Sequence, residues 1–148
     1  MMNKIFSSKA FVVSREDCDW NNHLNISNYF SFFSDTTFSL LKEMGFDSRD
    51  DKRQINVVVS KIFTLHKKEL FIGDKFFIES SIIDFDNSNI VVNHKLKSNN
   101  VLISKCYLRL DFIDKKTRVK LEVPKSILKE CGRFFVPGAI NVFKKIIL

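Results

Sequence analysis

Between residues 54 and 113 apolar and polar side chains alternate with a period of two, and only short polar turns interrupt the pattern. Successive side chains of a strand point to opposite faces, so this period predicts extended chain with one face turned to a core. The first segment, about 54–69, places Val57, Val59, Phe63 and Leu65 in phase. The second, about 75–86, carries Phe76, Ile78, Ser80 and Ile82; the third, about 90–97, carries Ile90, Val92, His94 and Leu96. The fourth, about 101–113, sets Leu102, Ser104, Cys106, Leu108, Leu110 and Phe112 against Lys105, Tyr107, Arg109 and Asp111. Gly73-Asp74, Asp86-Asn87-Ser88-Asn89 and Ser98-Asn99-Asn100 punctuate the run. Links this short join antiparallel neighbours, with one face buried and the other mostly wet.

One long helix precedes this block. Tyr29, Phe30, Phe33, Leu40, Leu41 and Met44 recur near helical spacing until Gly45 stops it, with Ser27 or Asn25 as candidate N-cap. Phe32 and Phe38 widen the stripe, which predicts a helix covered on most sides. A strand over about 9–17 comes before it, and a short strand over about 118–122 comes late. Pro124 fits the first position of a short helix from Lys125 to Cys131. Strand, long apolar helix, then four or five antiparallel strands predicts an α+β domain, one sheet curled around one helix. That domain spans 1–131, and 132–148 is an apolar extension. Ala139, Val142, Phe143, Ile146 and Ile147 share a helical face there, packed on the domain or a partner. Lys144 and Lys145 leave a membrane-surface contact as the other reading.

The richest stretch chemically lies where the first strand meets the helix, from Asp17 to Phe30. It holds Asp17, Asp19, Trp20, Asn21, Asn22, His23, Asn25 and Asn28, and loops at the ends of rigid elements are where sites are built. Asp17 and Asp19 also admit a structural reading, as acids answering the positive end of a helix dipole.

Composition narrows the remaining classes. No segment approaches the roughly 20 apolar residues of a membrane span. The N-terminus has a lysine but no apolar run behind it, so no signal peptide is expected. Cys18, Cys106 and Cys131 are scattered without C-x-x-C spacing, which argues against zinc and against a disulfide framework and for a reducing cytoplasm. The net charge is +7, but Lys and Arg are dispersed and no RNA-recognition or zinc-finger pattern occurs, so nucleic acid is not the expected partner.

The string Asp19-x-Asn21-x-His23-x-Asn25, ending in Tyr29, resembles the motif of plant acyl-ACP and carnitine-pathway CoA thioesterases. Ile72-Gly73-Asp74 is similar to a Gly-Asp turn of the same domain, and Leu121-Glu122-Val123-Pro124 to its proline-led ending. Over roughly residues 9–130 the chain resembles the hotdog-fold, 4-hydroxybenzoyl-CoA thioesterase-like acyl-CoA thioesterases. The resemblance implies hydrolysis of acyl-CoA, or of acyl-ACP, to free acid and thiol. It implies Asp19 as general base or nucleophile, with His23 donating a hydrogen bond or moving a proton. Asn21 orients water or holds the carbonyl oxygen in the same scheme. For His23 and Asn21 alike, stabilising the loop is the alternative. Asn25, Ile26, Ser27 and Tyr29 bind substrate at the helix start, where free N–H groups face a developing oxyanion; Asn25 also reads as a cap. No metal and no cofactor beyond the substrate's own coenzyme A are implied. A homodimer or homotetramer is, with the neighbour's strands completing the pocket. Many relatives carry Gly where this chain has Asn22; if that Gly lets the backbone approach the thioester closely, or if the position needs positive φ, Asn is the next most tolerant residue but brings a side chain.

Outside the string, His94 reads as a core histidine or a pocket-lining one, and His66 has no motif behind it. Lys67, Lys68, Lys115, Lys116 and Arg118 are candidates for the phosphates of coenzyme A. Cys18 has no Cys–His arrangement and reads as a small buried hydrophobe. A non-catalytic acyl-thioester-binding protein is the competing class.

Overall fold

In the computed structural model, which describes residues 5–47, 50 and 52–137, helix α1 runs Ile26–Glu43. It starts at Asn25, whose extended backbone and side-chain oxygen, accepting from Ser27 N–H at 3.2 Å, form the N-cap. Tyr29, Phe33, Thr36, Thr37, Leu40 and Leu41 recur on one face and are its buried residues. It ends in a Schellman motif: Gly45 sits at φ 91°, its N–H donates to Lys42 O, and Phe46 N–H donates to Leu41 O at 2.8 Å. Leu41 and Phe46, both buried, supply the apolar contact that usually accompanies this cap.

The strands are β1 (Phe6–Ser7), β2 (Phe11–Val12), β3 (Ile55–His66), β4 (Lys75–Phe85), β5 (Ile90–Ser98), β6 (Val101–Asp114) and β7 (Lys120–Leu121). All pair antiparallel in the order β1-β4-β5-β6-β3, with β2 added on β4 and β7 on β6. The main core joins α1 to Phe76, Ile78, Ile82, Ile90, Val92, Leu96, Leu108, Leu110 and Phe112 of the sheet's inner face. This is the α+β layer the alternation predicts. Helix α2 (Lys125–Cys131) follows Pro124, which is its N-cap rather than its first turn, and buries Ile127 and Cys131.

Four expectations need correcting. The strand expected over 9–17 is only Phe11–Val12, because Ser14 N–H and Oγ bond the Asp17 carboxylate and fold Arg15–Asp17 into a 3-10 turn. In β3 a bulge between Val59 and Lys61 adds one residue at Ser60 and inverts the phase beyond it. Ile62, Thr64 and His66 therefore face inward, opposite Leu108, Cys106 and Ser104, and Phe63 and Leu65 face outward. The outer face is not mostly wet: Ile83, Val91 and Tyr107 are buried there, with Phe63 packed on them. Helix α1 is not covered all round, since Ile26 is 71% exposed and Phe30 is exposed as well. The sheet covers one flank and the rings of Phe11, Phe32 and Phe76 a second, leaving the flank beside β3 open.

Beyond α2, Gly132–Phe134 forms a 3-10 turn that buries Phe134 against Phe6, and Val136 N–H donates to Ile82 O at 2.8 Å. The apolar face expected over residues 139–147 lies outside the described residues.

His94 is fully buried between helix and sheet, a satisfied core histidine stacked on Phe33. Thr37 Oγ1 donates to Phe33 O, so Thr37 accepts from His94 Nε2–H at 2.7 Å and Ser80 Oγ donates to Nδ1 at 2.6 Å. Burial lowers the His94 pKa to about 3. The ring stays neutral in the fold but takes up a proton near pH 6.5 when unfolded, so its contribution is complete above that pH and fades as pH falls toward 3. Urea unfolding should show a His94-dependent loss on the order of 1 kcal/mol per pH unit over that window. A His94→Asn variant should lack that component, and equal slopes in the two proteins would rule the linkage out.

Candidate active site

The stretch between the 3-10 turn and α1 is a tight loop. Cys18 and Leu24 pair as a bridge, Asp19 N–H donates to His23 O at 2.9 Å, and Asn22 N–H donates to Asp19 O at 3.1 Å. Asn22 turns the chain at φ 62°, the left-handed region where Gly is easiest and Asn next. The loop is fastened at both ends. Asp17 O accepts from Asn25 N–H and from Asn28 Nδ2, each at 2.9 Å, which fixes the helix start. On the other side Leu24 N–H donates to Leu70 O, and Ile72 N–H to Asn22 O. The Ile72-Gly73-Asp74 turn holds that second segment: Gly73 has φ 88°, and the Asp74 carboxylate accepts from Phe71 N–H at 2.8 Å.

Asp19 sits at the centre. Its Oδ1 accepts from Asn21 N–H at 2.9 Å and from His23 N–H at 3.2 Å, whereas Oδ2 has no hydrogen bond among the described residues. A carboxylate with one oxygen tied and one open is oriented yet available. His23 Nδ1 lies 3.2 Å from Glu69 Oε2, and its ring meets Phe71 edge-on at 4.6 Å. Tyr29 is buried, and burial raises its pKa against the lowering effect of a Leu70 backbone hydrogen bond. Its ring lies 4.7 Å from that of His66. His66 Nδ1 is 2.9 Å from Ser104 Oγ, and burial lowers its pKa.

These groups line one cleft of about 280 Å³. Asp19, His23, Leu24, Ile26 and Tyr29 form one wall, and His66, Lys67, Lys68 and Glu69, where β3 ends, form the other. An apolar cleft of about 400 Å³ adjoins it along β3, sharing Ile26, Tyr29 and His66 and adding Phe30, Ile62 and Thr64. Of the residues read from sequence, Asp19, His23, Ile26 and Tyr29 come together here. Asn21 does not: it gives its main-chain N–H to Asp19, and its side chain is outside the lining. Asn25 and Ser27 bond each other as the helix cap and also lie outside. Asp17 serves Ser14, and Trp20 is 89% exposed. Burial, then the carboxylates of Asp17 and Asp19, push the Cys18 thiol up, away from a reactive thiolate. Lys115, Lys116 and Arg118 follow β6 at the end of the sheet opposite His66.

Sequence reading missed His66 and Glu69. The cue was the string His66-Lys67-Lys68-Glu69, four ionisable residues closing a strand, but a straight phase through Ser60 turns His66 away from the helix. Among the described residues no His, Cys, Asp and Glu grouping could hold a metal ion, and no helix is long and apolar enough to cross a membrane. The geometry of Asn22 gives a direct test. Asn22→Val should cost about 1–2 kcal/mol in urea unfolding because a β-branched residue resists positive φ, while Asn22→Gly should hold wild-type stability. Equal stability of all three proteins would refute the strained turn.

Comparison with known proteins agrees with this frame. Residues 13–131 match the Thioesterase-like superfamily. No curated protein matches the chain in sequence. Among solved structures it is similar to the hypothetical protein SAV2348 from Staphylococcus aureus, solved in complex with CoA, with a TM-score of 0.83 and 23% identity over 90% of this chain and 85% of that one. It is similar to BH1999 gentisyl-coenzyme A thioesterase, with a TM-score of 0.77 and 17% identity over 86% and 98% of the two chains. The DHNA-CoA thioesterase of S. aureus gives a TM-score of 0.78 and 13% identity over 95% and 93%. These likenesses establish the hotdog fold, and with the match across most of its length the chain belongs to the Thioesterase-like superfamily.

Proposed function

We propose that the protein is an acyl-CoA thioesterase, of the 4-hydroxybenzoyl-CoA thioesterase-like kind, with Asp19 as the catalytic carboxylate. One observation carries the reading: Asp19 is locked through Oδ1 by its own loop, has no hydrogen bond on Oδ2 among the described residues, and lines a cleft that also holds His23, His66 and Tyr29. Oδ2 either takes the proton of an attacking water or attacks the thioester carbon itself. His23, aligned by Glu69, moves a proton beside it. Ile26 and Tyr29 at the helix start shape the acyl-binding wall. Coenzyme A as carrier is supported by the gentisyl-CoA and DHNA-CoA thioesterases and the CoA-bound protein among the structural relatives. Lys67 and Lys68 stand in the same lining, suited to its phosphates. A reducing, cytoplasmic setting fits three free cysteines, two of them buried.

Thiol release from a panel of acyl-CoAs, short, long and aromatic, tests the reading. Wild type should turn over at least one, and Asp19→Asn should lose at least ~10²-fold in kcat. Equal rates would sink the role of Asp19; acyl-CoA binding without release from any substrate would favour the non-catalytic class.

We further infer that a second copy completes the site. Strand β3 is the last in the sheet; Val59, Ile62 and Leu65 along it are 37%, 45% and 39% exposed, and Ile62 lines the apolar cleft. Pairing there hides an open edge and those side chains together. Light scattering should give a dimer or tetramer for wild type and a smaller, inactive species for Ile62→Glu. A wild-type monomer at micromolar concentration would overturn this.

A further inference from the structure

We propose that His66 is a catalytic residue of this site: its imidazole carries the proton on Nε2 and donates it as a hydrogen bond to the thioester carbonyl oxygen. The inference rests on the thioesterase reading and names a group that reading does not need. The bulge at Ser60 brings His66 onto the inner face, directly opposite Ser104 of β6. Ser104 is fully buried, and His66 Nδ1, at 2.9 Å, is its hydroxyl's one partner among the described residues. A buried hydroxyl needs an acceptor for its hydrogen, so Ser104 donates to Nδ1 and the ring proton is left on Nε2. That nitrogen has no partner among the described residues, and the ring lines the same cleft as Asp19.

The core repeats the device and completes it. His94 also stands opposite a serine, Ser80, which donates to Nδ1; there Nε2–H is spent on Thr37. At His66 the corresponding donor is open to the cleft. Burial lowers the His66 pKa, which favours the neutral ring at neutral pH. A neutral imidazole polarising a carbonyl is an established catalytic device. Whether water or Asp19 attacks, a bond forms to the carbonyl carbon and the C=O π pair moves onto oxygen. Nε2–H stabilises that oxyanion and keeps its proton; the pair returns as the C–S bond breaks and the thiolate leaves.

Nitrogen-15 NMR of the histidine rings reads the tautomer without turnover: His66 should be protonated on Nε2, and protonation on Nδ1 overturns the proposal. His66→Phe keeps a ring against Tyr29 and removes the donor. It should lower kcat by about 10²–10³-fold with KM little changed. A kcat near wild type, with Asp19→Asn inactive, overturns the role of His66 and spares the thioesterase. If wild type itself releases no thiol, both readings fall. Should His66→Phe not fold, Ser104→Ala takes its place: it should shift the ring away from the Nε2–H tautomer and lower kcat, and no change in either overturns the proposal.

Discussion

The seat of α1 on the inner face of the sheet governs everything else in this molecule. It is the one long helix among the described residues, so its apolar face must be satisfied by that single sheet. Apolar burial fixes the depth of the helix, but it is not directional. The directional element is His94, which joins Thr37 of α1 to Ser80 of β4 through two short hydrogen bonds in the driest part of the core. Once that position is set, the start of the helix falls where Asp17 O can hold Asn25 and Asn28. The Asp19 loop is thereby carried to the flank the sheet leaves open.

Much of this was legible in the chain, for identifiable reasons. Alternation over β4 up to Ile82, over β5, and over β6 from Ser104 followed from strand phase; a register shift opposite Leu96 and Lys97 puts Ile103, not the expected Leu102, in the core. The end of α1 at Gly45 followed from a cap that needs positive φ. Asp19 and His23 stood out because the string they share resembles a thioesterase motif; the polar junction alone suits acids that answer a helix dipole as well. What was not legible depended on single insertions and on side-chain rivalry. One extra residue at Ser60 reverses a strand's faces, and nothing in its composition announces it. Ser14 and Asp17 bonding each other ended a strand early, by a few residues that read equally well as extended chain. For Asn21 the residue type was right for chemistry, but the loop uses its main chain.

Two bulges do comparable work on different strands. The one near Ile83 keeps Asp84 on the outer face, opposite Val91, and turns Phe85 inward opposite Ile90, onto the main core. The one at Ser60 turns the far half of β3 inward and supplies the second wall of the cleft. A sheet of strict two-residue phase has no means of placing chemistry at one end and core at the other on the same strand. A bulge separates the two tasks.

That edge strand carries a further consequence for the life of the chain before it finds company. An unpaired β-edge is a template for any extended segment that drifts past, including those of nascent or damaged chains. Strand β3 presents 12 residues of such backbone, lined with Val59, Ile62 and Leu65. The kink at Ser60 and the charge of Lys61 interrupt it near its middle. A foreign strand must match that kink to lie along the full edge, so mispairing is restricted to half its length.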